Sequence, residues 1–210
     1  MQRKSKQSEE GWLLSYADLI TNLLIFFVML LTASNMSQAK FQQIAKSVSG
    51  QENPQSLESI QKEVDKKIKD AGLEKMVSTY LTEEGLNLSL NSGVVFDVGS
   101  AVIRPEWDSV LTKILSNLAS YSKKYGFAVE GHTDSLPIAH GGKSKFPSNW
   151  ELSSARAIEV RRRLEETGID RHKIRIEAYA DIKPLPAKEI ETLSEDEKLA
   201  RHRRVVVRIY

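Results

Sequence analysis

The sequence predicts a single N-terminal transmembrane helix followed by an α/β domain, a mixed sheet covered by helices. Three observations predict it. Residues Trp12 to Ala33 form an apolar run of the roughly 20 residues that a membrane-crossing helix needs. From Leu86 onward, stretches that alternate every second residue take turns with stretches that repeat every three to four, in the order β-α-β-α-β and then a final β. Of the 210 residues, those left after that span suffice for one domain of ordinary size plus a connector.

Residues 1–11 form a short N-terminal segment holding Arg3, Lys4 and Lys6, whereas the first basic residue after the span is Lys40. This asymmetry places the N-terminus in the cytoplasm and the remainder outside it, which in a Gram-negative cell is the periplasm of the inner membrane. The span itself, residues 12–33, carries one ionisable side chain, Asp18. At 1.5 Å per residue Asp18 lies about 9 Å beyond Trp12, within the membrane on the N-terminal side of its midplane. A carboxylate there costs on the order of 2.5–3.5 kcal/mol, which makes it an ion-handling candidate. Three plainer readings stand beside that one. Asp18 caps a helix starting at Leu19, the run is a cleaved signal peptide, or Asp18 is a structural contact between helices.

Residues 34–56 begin with a polar exit and continue as KFQQIAKSVSG, in which Phe41, Ile44, Ala45 and Val48 share one face of a short helix ended by Gly50. Residues 57–84 read as connector helices. Leu57, Ile60, Val64 and Ile68 line a charged amphipathic helix behind Ser56, stopped at Gly72, and a second helical piece spans Leu73 to Tyr80. The domain proper occupies 85–210. Leu86, Leu88 and Leu90 alternate as a strand, and Val94 to Phe96 is a short second one after the Asn91-Ser92-Gly93 turn. Trp107, Val110, Leu111, Ile114, Leu115, Leu118 and Tyr121 form the apolar face of a helix with Pro105 near its start. A strand from Phe127 to Gly131 leads into His132-Thr133-Asp134. A loop rich in Pro and Gly precedes a helix from Trp150 to Thr167. Ile174, Ile176 and Ala178 alternate as a strand, a charged excursion fills 181–202, and Val205, Val207 and Ile209 form the last strand.

The 30 basic and 28 acidic residues are interspersed, so no nucleic-acid footprint is present. There is no cysteine, hence no disulfide framework and no thiolate metal site. His132, His140, His172 and His202 show no metal-ligand spacing, and neither GxSxG nor a phosphate-cradling loop occurs. The expectation is a protein that is not an enzyme, with no cofactor and no metal.

Two segments are more specific than periodicity. VEGHTDSLPI with SNWELSSARAIEVRRRL resembles the peptidoglycan-binding signature of OmpA-like domains, in which TD, an Asn, LS and RA recur before a helix. The likeness runs from about Leu86 to Tyr210 and includes His202-Arg203-Arg204-Val205, with His202 standing where many such domains have Asn. The NWELS form and the long insertion after TD look like the variant in the MotB family of flagellar stator proteins. SYADLITNLLIFFVML is similar to the membrane helix of that family. The resemblance implies that Asp134 and Arg156 bind the diaminopimelate-type group of a peptidoglycan stem, with Asn149 and Thr133 as polar supports. It further implies a homodimer within a ring of a MotA-like multi-span subunit, Asp18 as the ion site, protons or Na⁺ as the transported ion, and Phe41 to Val48 as a plug against leak. On the residues alone, Asp134 instead caps a turn and Arg156 pairs with Glu159 on a solvated helix face. A passive wall anchor and an ion-driven stator of a non-flagellar system, such as phage defence, are the alternative functions. An anchor has no use for Asp18. TolR and ExbD proteins share the single span with Asp, but the OmpA-like signature argues against them.

Overall fold

The structure, a computed structural model, describes residues 11–34, 56–138, 145–186 and 190–210. The plug-like residues Phe41, Ile44, Ala45 and Val48 lie outside the described residues. Helix α1, Gly11–Ser34, is 24 residues long and so reaches about 36 Å. Its large side chains, from Trp12 to Leu31, are all exposed. An apolar helix on which none of the described residues packs is what lipid would cover. The hydroxyls of Ser15, Thr21 and Thr32 are absorbed by the helix backbone, as where Thr21 Oγ1 donates to the Asp18 carbonyl at 2.9 Å.

Helix α2, Leu57–Asp70, starts at Ser56, whose side chain accepts from the Ser59 N–H. It buries Leu57, Ile60, Val64 and Ile68 in the same core as the sheet, so the first part of the expected connector belongs to the domain. The second helical piece is overturned. After Gly72, at φ +65°, the chain turns and enters strand β1, Val77–Thr82. VSTYLT is rich in β-branched and aromatic residues that suit a pleated surface, and this outweighs the weak helical period before it. Glu83 and Glu84 then turn the chain into β2, Gly85–Asn91.

The expected strand at Val94 to Phe96 is replaced by a helical turn, α3, Ser92–Val95. The Asn91 side chain accepts from the Gly93 N–H and caps this turn in preference to pairing. Only Phe96 keeps a bridge, to Ile103. Helix α4 spans Pro105–Ala119, β3 Phe127–His132, α5 Asn149–Glu166 and β4 Ile174–Ala180. Within the charged excursion lies a further helix, α6, Glu195–His202, opened by a capping box between Ser194 and Glu197. Strand β5, Arg204–Ile209, ends the described chain apart from Tyr210.

The five strands lie in the order β1-β2-β5-β3-β4. Only β3 and β4 are parallel, joined by the α5 crossover, and the other pairs are antiparallel. One face buries Leu86, Leu88, Leu90, Phe127, Val129, Val205, Val207 and Ile209 under α2, α4 and α5. Helix α2 lies on β1 and β2, α5 on β3 and β4, and α4 touches both helices.

Removing the Ile60 side chain therefore opens the core. Ile60→Ala is expected to cost about 2–5 kcal/mol in urea unfolding of the solubilised chain followed by tryptophan fluorescence. A true connector residue would cost within about 0.5 kcal/mol.

Candidate functional site

A cleft of about 590 Å³ opens at the C-terminal end of β3. Three elements supply its charged walls. Strand β3 runs out at His132 and delivers Thr133 and Asp134. The first turns of α5 deliver Asn149, Leu152 and Arg156, and Arg203 comes from the junction of α6 and β5. The segment after α3, Phe96 to Gly99, completes the rim.

Local sequence explains each placement. Gly131 lies against the Ser153 carbonyl of α5, where a Cβ would collide, so only glycine lets the helix sit this close to β3. The Thr133 N–H donates to the Ala180 carbonyl at 2.8 Å, beyond an irregularity in the β3/β4 register, which turns the chain out of the sheet. Asn149 Nδ2 donates to the carbonyls of Leu136 at 2.9 Å and Asp134 at 3.3 Å, tying the loop after β3 to the start of α5. Ser148 caps α5 by accepting from the Trp150 N–H. Thus all four residues expected from the signature, Thr133, Asp134, Asn149 and Arg156, meet in one cleft.

Arg156 is the unusual group. It falls in the inward stripe Leu152, Ser153, Arg156, Ala157, Val160, Leu164 of α5 and is 4 % exposed. Its Nε donates to the Ser100 carbonyl at 2.9 Å and Nη2 to the Asp97 carbonyl at 3.3 Å. Its guanidinium carbon lies 5.2 Å from the centre of the Phe96 ring. No carboxylate among the described residues pairs with it. The expected pairing with Glu159 does not form, because Glu159 is taken by Arg162 at 3.2 Å and Arg163 at 3.4 Å. Burial, then the charge of Arg203, brings the Arg156 guanidinium down to about 10, and Asp134 opposes that shift.

Asp134 does not act as the expected turn cap. Its Oδ2 accepts from Arg203 Nη1 at 2.6 Å. Arg203 was not singled out from the sequence, yet a signal existed. It has the parity of Val205, Val207 and Ile209, the inward row of β5, whereas Arg204 and Arg208 share the opposite face. The hydroxyls of Ser92 and Thr133 are buried beside the cleft without a partner among the described residues.

The other face of the sheet carries a charged network. Glu130 and His132 are 3 % and 1 % exposed, with His132 Nε2 and Glu130 Oε2 at 3.3 Å. Lys183 Nζ lies 3.3 Å from the same oxygen, and Arg208 reaches Glu130 at 3.1 Å and Glu177 at 3.0 Å, and also Glu84. Burial pushes the Glu130 carboxyl up, but bonding to His132 and the charge of Lys183 outweigh it and leave it below its ordinary value. Burial holds the His132 imidazole below its ordinary 6.5 against the pull of Glu130. His202 is lowered as well, chiefly by burial. Among the described residues no cluster of three or more His, Cys, Asp or Glu is placed to hold a metal. Asp18 lies on α1, its carboxylate without a hydrogen-bond or ion-pair partner among the described residues.

Fold and cleft together define a ligand-binding α/β domain of the OmpA type, carried behind one membrane-length helix. A model of the OmpA family matches residues 95–198, and one described as membrane MotB of the proton-channel complex MotA/MotB matches residues 1–51. Motility protein B of Bacillus subtilis is 31% identical over 88% of this chain and 88% of its own length. Motility protein B of Escherichia coli K12 is 26% identical over 82% and 72%. The chain belongs to the motility protein B (MotB) family. Among solved structures, a putative MotB-like protein from Desulfovibrio vulgaris has the same fold, with TM-score 0.63 and 24% identity over 73% of this chain and 90% of that one. The cell wall anchor of the T6SS from Pseudomonas aeruginosa follows at TM-score 0.58 and 28% identity over 70% and 96%.

The lowered imidazoles set a pH dependence. The unfolded chain takes up their protons first, so stability is full above about pH 6.5 and falls as pH drops below it. Glu130, also lowered, adds a further loss below about pH 4.5. Urea midpoints measured from pH 7.5 to 5 are expected to decline for wild type and to decline less steeply for His132→Gln, with the remaining slope coming from His202.

Proposed function

We propose that this chain is the B-type stator subunit of the bacterial flagellar motor. It forms an ion path with a MotA-like multi-span subunit and fastens that complex to peptidoglycan. The observation that carries this reading is Asp18, a carboxylate without a partner among the described residues, on a membrane-length helix in the chain that also carries the cleft. Its N-terminus lies in the cytoplasm and the domain lies on the outer side of the membrane, facing the wall. Two copies stand side by side, each with its Asp18 toward the MotA-like ring.

Protonation removes the carboxylate's charge and with it the cost of holding that charge in lipid, so each proton arriving and leaving changes which packing against the partner is favoured. The membrane potential supplies about 2.3 kcal/mol per charge per 100 mV to drive the cycle. The wall supplies the resistance. Asp134 accepts from the ammonium and Arg156 donates to the carboxylate of a diaminopimelate-type side chain, with Thr133 and Asn149 holding the loop between them. Phe41, Ile44, Ala45 and Val48 form the plug that closes the path before assembly. Likeness to a type VI cell wall anchor supports wall binding by the domain, and a purely passive anchor is the second reading it favours.

In a host deleted for its own copy, wild type is expected to restore swimming. Asp18→Asn is expected to insert in the membrane, to bind isolated cell walls as wild type does, and to leave the cells immotile. Swimming by both would end the ion-site assignment, and swimming by neither would favour the passive anchor or a non-flagellar stator. The transported ion is the proton. Swimming speed at fixed pH is expected to be unchanged as external Na⁺ is varied, and a speed that follows Na⁺ would reassign the ion.

A further inference from the structure

The ion pairs at the cleft, counted with Arg104 behind Asp97, leave one cation over, and that surplus specifies the ligand more narrowly than a group bearing both ammonium and carboxylate. Four ionisable side chains line it: Asp97, Asp134, Arg156 and Arg203. Asp97 Oδ1 already accepts from Arg104 Nε at 2.9 Å, and Asp134 already accepts from Arg203 at 2.6 Å. Two ion pairs are thus complete without a ligand. Arg156 is left over, a buried cation whose described partners are two backbone carbonyls and the face of Phe96. Carbonyl dipoles and a ring soften the cost of burying that charge but bring no net negative charge. Two of its five N–H donors are engaged, and the others remain for a planar acceptor.

We infer that the cleft selects stem peptides whose diamino acid carries a free side-chain carboxylate and rejects those in which that carboxylate is amidated. The inference rests on the wall-binding reading above and narrows it to one chemical form of the stem. A carboxylate offers Arg156 a bidentate acceptor and the missing negative charge. A carboxamide is neutral, and its NH₂ group turns donors toward a guanidinium that has only donors. The ammonium end matters less, because Arg203 already serves Asp134 and must share that carboxylate or yield it. Ser92 and Thr133, whose hydroxyls are buried without partners among the described residues, offer the bound group further hydrogen bonds. Val98, 93 % exposed, and Leu136 give the carbon chain between the charged ends an apolar wall.

The test is calorimetric binding of two synthetic tetrapeptide stems to the full chain in detergent micelles. The stems differ only in whether the diamino acid's side-chain carboxyl is free or amidated. The free acid is expected to bind about tenfold to a hundredfold more tightly, the range for a hydrogen bond to a charged group. Arg156→Gln is expected to bind both stems weakly and equally, whereas Asp134→Asn weakens both and keeps their ratio. Equal affinities in wild type, or a preference for the amide, would overturn the inference. So would a ratio that survives in Arg156→Gln. Should that variant fail to fold, the ratios in wild type and Asp134→Asn decide. Binding of neither stem would remove the wall-binding reading itself and this inference with it, a result distinct from binding without discrimination.

Discussion

Helix α5 lies so close on strand β3 that Gly131 has no room for a Cβ, and both walls of the cleft depend on that contact. Strand and helix are pressed together one turn before Arg156 and three residues before Asp134. Any side chain at 131 would lift α5, moving the guanidinium away from the carbonyls of Asp97 and Ser100 that hold it. The rest of the core serves this approach. Val160 and Leu164 continue the α5 stripe into the apolar layer shared with α4, and Leu152 lies beside the cleft. Packing therefore sets the distance between two charged groups that never touch each other.

Each end of the chain retains a charge in a medium that penalises it. Asp18 stands on a helix suited to lipid, at a cost on the order of 2.5–3.5 kcal/mol. Arg156 stands inside protein, where an unpaired ion costs several kcal/mol. Several other buried charges are paired: Glu130 meets Lys183 and Arg208, and Asp134 meets Arg203. The function proposed above gives both charges a use, Asp18 toward an ion and Arg156 toward a ligand anion.

What the sequence made legible follows the same physics. Helix α2 was readable because Leu57, Ile60, Val64 and Ile68 keep strict helical spacing, and the strands at Leu86 and Val205 because their parity is unbroken. Strand β1 was hidden, since its buried end at Val77 follows a helical-looking LEKM and its remaining residues are half-buried or exposed. The turn at Ser92 was hidden because Asn91 caps a helix as readily as it makes a turn. In the cleft, Asp134 and Arg156 were found by resemblance, and spacing alone favoured a surface pair with Glu159. Yet Arg156 betrays itself by lying in register with Leu152 and Val160, a cation in an apolar stripe. Arg203 does so by sharing the parity of Val205, Val207 and Ile209. Neither clue works until the stripe or row is known to face inward.

A tether has to hold as well as recognise, and the sheet explains how this cleft could bear load. On the function proposed above, a wall strand held at Asp134 and Arg156 would pull on the end of β3 and on the first turns of α5. Strand β3 is hydrogen-bonded along both edges, to β5 on one side and β4 on the other. Behind it Arg208 of β5 reaches Glu130 of β3 and Glu177 of β4, so one side chain cross-links the three strands on the face away from the helices. His132 closes the set, held to Glu130 and stacked on Tyr179 with ring centres 5.3 Å apart, one residue before the chain leaves the sheet for Thr133 and Asp134. Pull along β3 is thus shared by backbone ladders and by a buried charge network before it reaches the core. The charged network braces β3 on the face away from the helices, while on the covered side α5 carries Arg156 to the cleft.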